Sequence, residues 1–119
     1  MARVIGLDQA RELGLPGRIS REIVSSRDGA HAVTLRHVEI PVADPNAPPR
    51  EPHLHGDSEE CIYVLSGSGA FWTEAGEQPV VPGDTILIPA GEPHYTRNTG
   101  GEPLVLLCFF PSAELGRHK

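Results

Sequence analysis

The sequence predicts an all-β domain, on three observations. Short strand-favouring runs recur along almost the whole chain, Gly, Pro, Asn and Asp punctuate them as turn signals, and only one short stretch reads as helix. The helical stretch comes first: Leu7-Asp8-Gln9-Ala10-Arg11-Glu12-Leu13-Gly14 has Asp8 placed as N-cap, Glu12 within the first turns and Gly14 as stop, with Pro16-Gly17 beyond. Ile19 to Ser25 and Ala32 to Ile40 then read as two strands, joined as a hairpin around Arg27-Asp28-Gly29. From Pro41 to Pro52 five prolines restrain a loop that leads into His53 and borders the mouth of any pocket there.

Beyond that loop the chain carries its most distinctive chemistry. If residues 53 to 55 are extended, side chains two apart share a face, so His53 and His55 present ring nitrogens to one point. Gly56-Asp57-Ser58 is turn chemistry, and Cys61-Ile62-Tyr63-Val64-Leu65 is a β-favouring run, so Glu60 opens a strand that returns past the histidines. Two imidazoles and a carboxylate form a nitrogen and oxygen set that suits Fe, Mn, Co, Ni, Cu or Zn and not Ca or Mg. A fourth ligand is available farther on. Gly83-Asp84 turns the chain into Thr85-Ile86-Leu87-Ile88, Pro89-Ala90-Gly91 reverses it, and a strand resumes at His94. On that strand His94, Thr96 and Asn98 share one face, which makes Thr96 and Asn98 candidates to line the pocket, while Tyr95 and Arg97 share the other.

These residues resemble the two sequence motifs of the cupin superfamily. The first, G-x5-H-x-H-x3,4-E-x6-G, is met by His53, His55, Glu60 and Gly67, with Ala47 in place of the leading glycine. The second, G-x5-P-x-G-x2-H-x3-N, is met at every fixed position by Gly83, Pro89, Gly91, His94 and Asn98. Fifteen residues separate Gly67 from Gly83, room for Gly69-Ala70-Phe71-Trp72-Thr73, a turn at Glu74-Ala75-Gly76-Glu77 and Gln78-Pro79-Val80-Val81, a spacing similar to that of compact microbial cupins of the RmlC-like, type-2 kind. The motifs span residues 47–67 and 83–98. The resemblance implies a double-stranded β-helix, the cupin jelly-roll barrel, with one divalent transition metal held inside by His53, His55, Glu60 and His94. Of the adjacent carboxylates the glycine spacing selects Glu60, which leaves Glu59 on the opposite face of the strand.

Composition agrees with a single domain over residues 1–119. At this length a domain buries roughly two-thirds of its unfolded surface, enough for one core. A formal charge of −6 and a pI near 5.4 argue against nucleic acid or an anionic membrane as partner. No signal peptide and no membrane span is legible, so a cytoplasmic location is expected. Cys61 and Cys108 read as small apolar residues in strands, neither as a disulfide nor as a catalytic thiol. Leu104-Val105-Leu106-Leu107-Cys108-Phe109-Phe110 is apolar on both faces and expects cover on both sides, and the tail from Pro111 reads as loose. Together with Tyr63 and Leu65, that strand suggests a homodimer burying an outer sheet.

His31 and His118 read as solvated. In the strand holding Arg36 and His37 the apolar alternation slips between Leu35 and Val38, so either residue can be the one that enters the barrel to meet a substrate anion or carry a proton. Members of the family with this ligand set include dioxygenases, decarboxylases, isomerases, lyases and cyclases. The expectation is therefore a metal-dependent enzyme, dioxygenase-like first, acting on a small oxygen-rich molecule that chelates the metal, with Glu60 able to accept a proton when substrate loosens its coordination. The rival expectation is a non-catalytic module that binds a metal or a small ligand.

Overall fold

In the computed structural model the described residues are 1–48, 52 and 58–115. Two antiparallel sheets form the jelly-roll barrel. The strands are β1 (Arg11–Glu12), β2 (Ile19–Val24), β3 (Thr34–Ile40), β4 (Glu60–Ser66), β5 (Gly69–Thr73), β6 (Gly76–Val80), β7 (Thr85–Ile88), β8 (His94–Asn98) and β9 (Leu104–Phe110). One sheet runs β1-β2-β3-β9-β4-β7 and the other β6-β5-β8. Among the described residues no helix is long and apolar enough to cross a membrane.

Period-two burial is what closes this barrel. Along β3 every second residue from Thr34 to Ile40 is buried, and β9 repeats the pattern at Leu104, Leu106, Cys108 and Phe110. The central register Ile62↔Cys108 and Val64↔Leu106 sets these residues side by side on the inner face of one sheet, and Ile40, Ile88 and Phe71 complete the core around them. The strand that looked apolar on both faces thus has one buried face. Its other face carries Phe109, which lies in a row with Cys61 and Leu87 of the neighbouring strands, beside Tyr63 and Leu65. Leu87 is 65% exposed and Tyr63 44%.

The N-terminal helix is much shorter than its sequence span. A single 3-10 turn covers Leu7–Gln9 with Gly6, not Asp8, at its N-cap. Arg11 and Glu12 instead leave as an edge strand paired with Glu22 and Arg21. The sheet edge offers backbone partners that an isolated turn of helix in water lacks, and tertiary pairing overrides the local propensity. The hairpin turn forms as a 3-10 turn at Ser26–Asp28, capped by the Ser25 hydroxyl and ended by Gly29. The tail is not loose up to residue 115: the Ser112 carbonyl accepts from Thr34 Oγ1 at 2.6 Å, the Ala113 carbonyl accepts from the Ser26 amide at 2.9 Å, and Leu115 packs against the core.

Gly67 closes the first motif for a steric reason. Its φ is +84°, and a Cβ there would lie 2.5 Å from the Pro103 carbonyl oxygen and 2.8 Å from Leu104 Cα. Both obstacles are backbone, so they cannot swing aside. Gly67→Ala is expected to destabilise the fold by about 2–3 kcal/mol, as left-handed strain alone costs roughly 1–3 kcal/mol. Urea unfolding checks this, and a change under about 0.5 kcal/mol would show that the turn has another conformation to adopt.

Candidate metal centre

Glu60 and His94 come from different sheets and meet inside the barrel. Glu60 is the first residue of β4 and His94 the first of β8, so each side chain sits at the start of its strand. Only 5% of Glu60 and 2% of His94 is exposed. Nε2 of His94 lies 3.3 Å from Oε1 of Glu60. Phe71 of β5 stacks against the imidazole at 5.7 Å and holds the ring plane. Glu59, by contrast, is exposed, as alternation requires.

The other ring nitrogen fixes the chemistry of this meeting. Nδ1 of His94 is 2.8 Å from the Glu92 carbonyl oxygen, which can only accept, so Nδ1 carries a hydrogen and donates. In the neutral ring Nε2 is then a bare acceptor facing a carboxylate oxygen. Two acceptors at that distance require something positive between them, either a proton, carried on Nε2 or on the carboxyl, or a metal ion. Burial disfavours the charged ring, yet Glu60 and the Glu92 carbonyl outweigh it and raise the His94 pKa above the usual histidine range. An imidazole whose far nitrogen is tied to a carbonyl is also how metal-binding histidines are oriented. The described half of the ligand set therefore fits a divalent transition metal. His53 and His55 lie outside the described residues, and among the described residues no group of three metal-binding side chains assembles.

The cavity beside this pair is lined by Arg18, Ser20, Arg36, Glu60, His94, Thr96 and Cys108, with Leu15, Val38, Ile40, Ile62, Leu106 and Phe110 as apolar walls. About 50 Å³ of it admits the centre of a water-sized molecule, enough for a few waters or one small ligand. Of the two residues that the slipped alternation of β3 left open, Arg36 points inward and His37 belongs to the opposite face, across from Leu107 and Arg21. Thr96 lines the cavity. Asn98 does not: its amide donates to the carbonyls of Ile40 and Glu102, and its Oδ1 accepts from Gly100, so it ties β8 to the ends of neighbouring segments.

Arg18 and Cys108, which line the cavity, and Glu22, which holds Arg36, carry no signal of their own in the sequence. Glu22 of β2 accepts from Nε and a terminal nitrogen of Arg36 at 3.3 and 3.1 Å, and its other oxygen takes Arg11 at 3.2 Å. Arg18 enters from the loop before β2. Cys108 faces inward from β9, where burial and the Glu60 carboxylate push its thiol pKa well above the ordinary value and keep it protonated. The thiol is a lining group of the cavity and not only a filler. Alternation counted back from Phe110 would have placed it, had both faces of β9 not been apolar.

Glu22 also sets an acid limit on the fold. Burial opposes its charge, but the Ser25 hydroxyl and Arg36, with Arg11, outweigh this and hold its pKa below the ordinary 4.5. A depressed carboxyl pKa stabilises the fold above the unfolded value, and that contribution is lost as pH falls from about 4.5 through the folded-state pKa. Glu22→Gln is expected to cost about 1.5–3 kcal/mol at pH 7, the range for a hydrogen bond to a charged group. The gap between the two proteins should narrow as pH falls below 4.5. Denaturation at pH 7 and pH 3 checks this, and a gap that does not depend on pH would assign the cost to shape alone.

Comparison with known proteins agrees with this architecture. A cupin-domain family profile matches residues 37–110. Over 65 residues the chain is 38% identical to a glucose-6-phosphate isomerase of Thermococcus gammatolerans, a stretch covering 50% of this chain and 34% of that protein. Over 56 residues it is 34% identical to an oxalate-binding protein of Thermotoga maritima, covering 47% of this chain and 46% of that one. The chain thus spans between a third and a half of the curated relatives it matches. Among solved structures, the polyketide cyclase RemF from Streptomyces resistomycificus superposes with a TM-score of 0.75 at 27% identity, over 100% of this chain and 84% of that one. An oxalate decarboxylase of Bacillus subtilis superposes with a TM-score of 0.75 over 92% of this chain and 30% of its own, but at 23% identity it speaks for the fold alone. With the profile covering most of the barrel strands and the jelly roll closing as the two motifs require, the chain belongs to the cupin family.

Proposed function

We propose that this cupin binds one divalent transition metal through His53, His55, Glu60 and His94 and acts on a small oxygen-rich molecule that chelates it. The observation that supports this most is the buried convergence of His94 Nε2 and Glu60 Oε1, two acceptors that need a shared cation. When bound, Fe, Mn, Co, Ni, Cu or Zn supplies Lewis acidity, and redox chemistry as well for Fe, Mn, Ni or Cu. The chain's own residues do the rest. Glu60 is the carboxylate placed to accept a substrate proton, Thr96 offers a hydroxyl to a bound oxygen, and Arg36 is held by Glu22 so that its guanidinium faces the cavity. Val38, Ile40 and Leu106 keep that wall dry.

The named activities of the more similar proteins are cyclase and isomerase, which favours polarisation of the substrate over consumption of dioxygen. Dioxygenation stays as the second form of the same reading. A panel of catechols, β-diketones, flavonols and short hydroxy acids, with Fe(II), Mn(II) or Ni(II), tests both by oxygen electrode and by product analysis. Turnover of a panel member that is lost in Glu60→Gln is the expected result. Binding without turnover across the panel would favour the non-catalytic module, the reading that similarity to an oxalate-binding protein supports.

The outer row of Leu87, Tyr63, Leu65 and Phe109 fits a second copy of this chain, since scattered exposed apolar residues are common but a contiguous apolar sheet face is not. Sedimentation at tens of micromolar is expected to give twice the mass of the chain, and Leu87→Glu to give the monomer. A monomeric wild type would remove the dimer.

A further inference from the structure

We propose that Ser20 is a specificity-determining residue, whose hydroxyl receives an oxygen at the far end of a short-chain substrate while the near end reaches the metal. Only the near-end contact rests on the metal reading above. Ser20 and the Glu60 and His94 pair line one cavity.

The hydroxyl of Ser20 is buried and left over. Of β2, Ser20 and Glu22 are the buried residues, as alternation requires. Ser20 is 2% exposed. Its backbone is fixed twice, by pairing with Val38 of β3 and by its carbonyl, which accepts from the Leu13 amide at 2.9 Å. Other polar groups of the cavity are occupied: Glu22 holds Arg36, the Cys108 thiol donates to Glu60, and Arg18 donates to the Pro16 carbonyl at 2.9 Å. The Ser20 hydroxyl makes no hydrogen bond among the described residues. A buried hydroxyl without a partner costs stability, and packing alone would be better served by an aliphatic side chain. Its neighbours in the same row are aliphatic, since Ser20 pairs with Val38, Val38 with Leu106 and Leu106 with Val64. Serine has one use there that valine lacks, an oxygen offered to whatever fills the cavity.

The register also separates Ser20 from the metal ligands. Val64, in the row of Ser20, lies four residues beyond Glu60 on β4, roughly 13 Å of strand. In the sheet order β2 is three strands across from β4. Ser20 and Glu60 therefore occupy opposite corners of one wall. A ligand that touches both carries two oxygen functions with a short hydrocarbon stretch between them, which Val38 and Leu106 cover. A hydroxyl both donates and accepts, and Val38 and Ile40 make the wall beside Ser20 apolar. A neutral hydroxyl or carbonyl suits that corner better than a second carboxylate, whose loss of water it would not offset.

Calorimetry on the zinc-loaded full chain tests this with matched acids of four and five carbons. The probes are 2-hydroxybutyrate against 2,4-dihydroxybutyrate and malate, and 2-hydroxypentanoate against 2,5-dihydroxypentanoate and 2-hydroxyglutarate. At one length or both, wild type is expected to bind the acid with the terminal hydroxyl at least about threefold more tightly than its parent, as one net hydrogen bond allows. Ser20→Ala should weaken the dihydroxy acid by about threefold to tenfold and leave the parent acid and the zinc content unchanged. A preference that survives Ser20→Ala, or a wild type with no preference at either length, would overturn the assignment of Ser20. Equal weakening of both acids would mark a loss of shape and overturn it too. Tighter binding of malate or 2-hydroxyglutarate than of the dihydroxy acids would overturn the neutral oxygen. If wild type takes up no zinc, the metal reading fails by itself, and the same pairs titrated against the metal-free chain still decide Ser20.

Discussion

His94→Ala is expected to lower metal affinity by more than about 100-fold, because removal of groups that merely orient a ligand already costs about 10–100-fold. The substitution takes away Nε2, the atom that faces Oε1 of Glu60 at 3.3 Å, and with it the ring that Phe71 and the Glu92 carbonyl hold in place. It also leaves the Glu60 carboxylate, 5% exposed, facing an emptied cavity. Zinc titration of wild type and variant reads the effect directly. His31→Ala, a change in an exposed residue before β3, should leave affinity as it was. Equal affinity in His94→Ala would mean that the cation between Glu60 and His94 is only ever a proton.

Phe110→Ala is expected to destabilise the fold by about 3–5 kcal/mol, the usual cost of emptying a buried aromatic site. Phe110 is 2% exposed, the largest fully buried side chain among the described residues, and the last inward residue of β9. Its ring lies under the Arg36 guanidinium at 5.5 Å, so the cavity left behind opens beside the Glu22 and Arg36 pair. The neighbours that would have to move are strand residues fixed by pairing on both sides of β9, which limits collapse into the gap. Chemical denaturation checks the value, and a loss below about 1 kcal/mol would show that the barrel relaxes far more freely than its register suggests.

The second motif was legible in the sequence because its fixed positions are backbone devices. Thr85–Ile88 and His94–Asn98 occupy the spans that Gly83, Pro89 and Gly91 delimit, and Gly69–Thr73 and Leu104–Phe110 stand where their apolar runs stand. The choice of Glu60 over Glu59 followed from the spacing to Gly67, alternation then put Glu59 on the opposite face, and burial separates the two in the same way. Arg36 could not be given a face, since Leu35 and Val38 break the period. Pairing with β2 and β9 sets the face, and those partners are distant in sequence. Arg18 was missed for a related reason: it precedes β2 in a loop, where no periodicity exists to orient it. Asn98 was read as a pocket group because it shares a face with His94, but β8 runs on past the cavity, and by Asn98 the inward direction meets the Ile40 carbonyl. The helix expected from Leu7 to Gly14 failed where a sheet edge competed for Arg11 and Glu12.

One measurement bears most directly on the whole account: the metal content of the wild-type chain purified without chelator or nickel resin, set beside that of His55→Ala and His94→Ala. About one equivalent of a transition metal per chain in wild type, and its loss in both variants, is the expected result, since a single four-ligand site has no spare donors. A wild type with no more metal than the variants would contradict it.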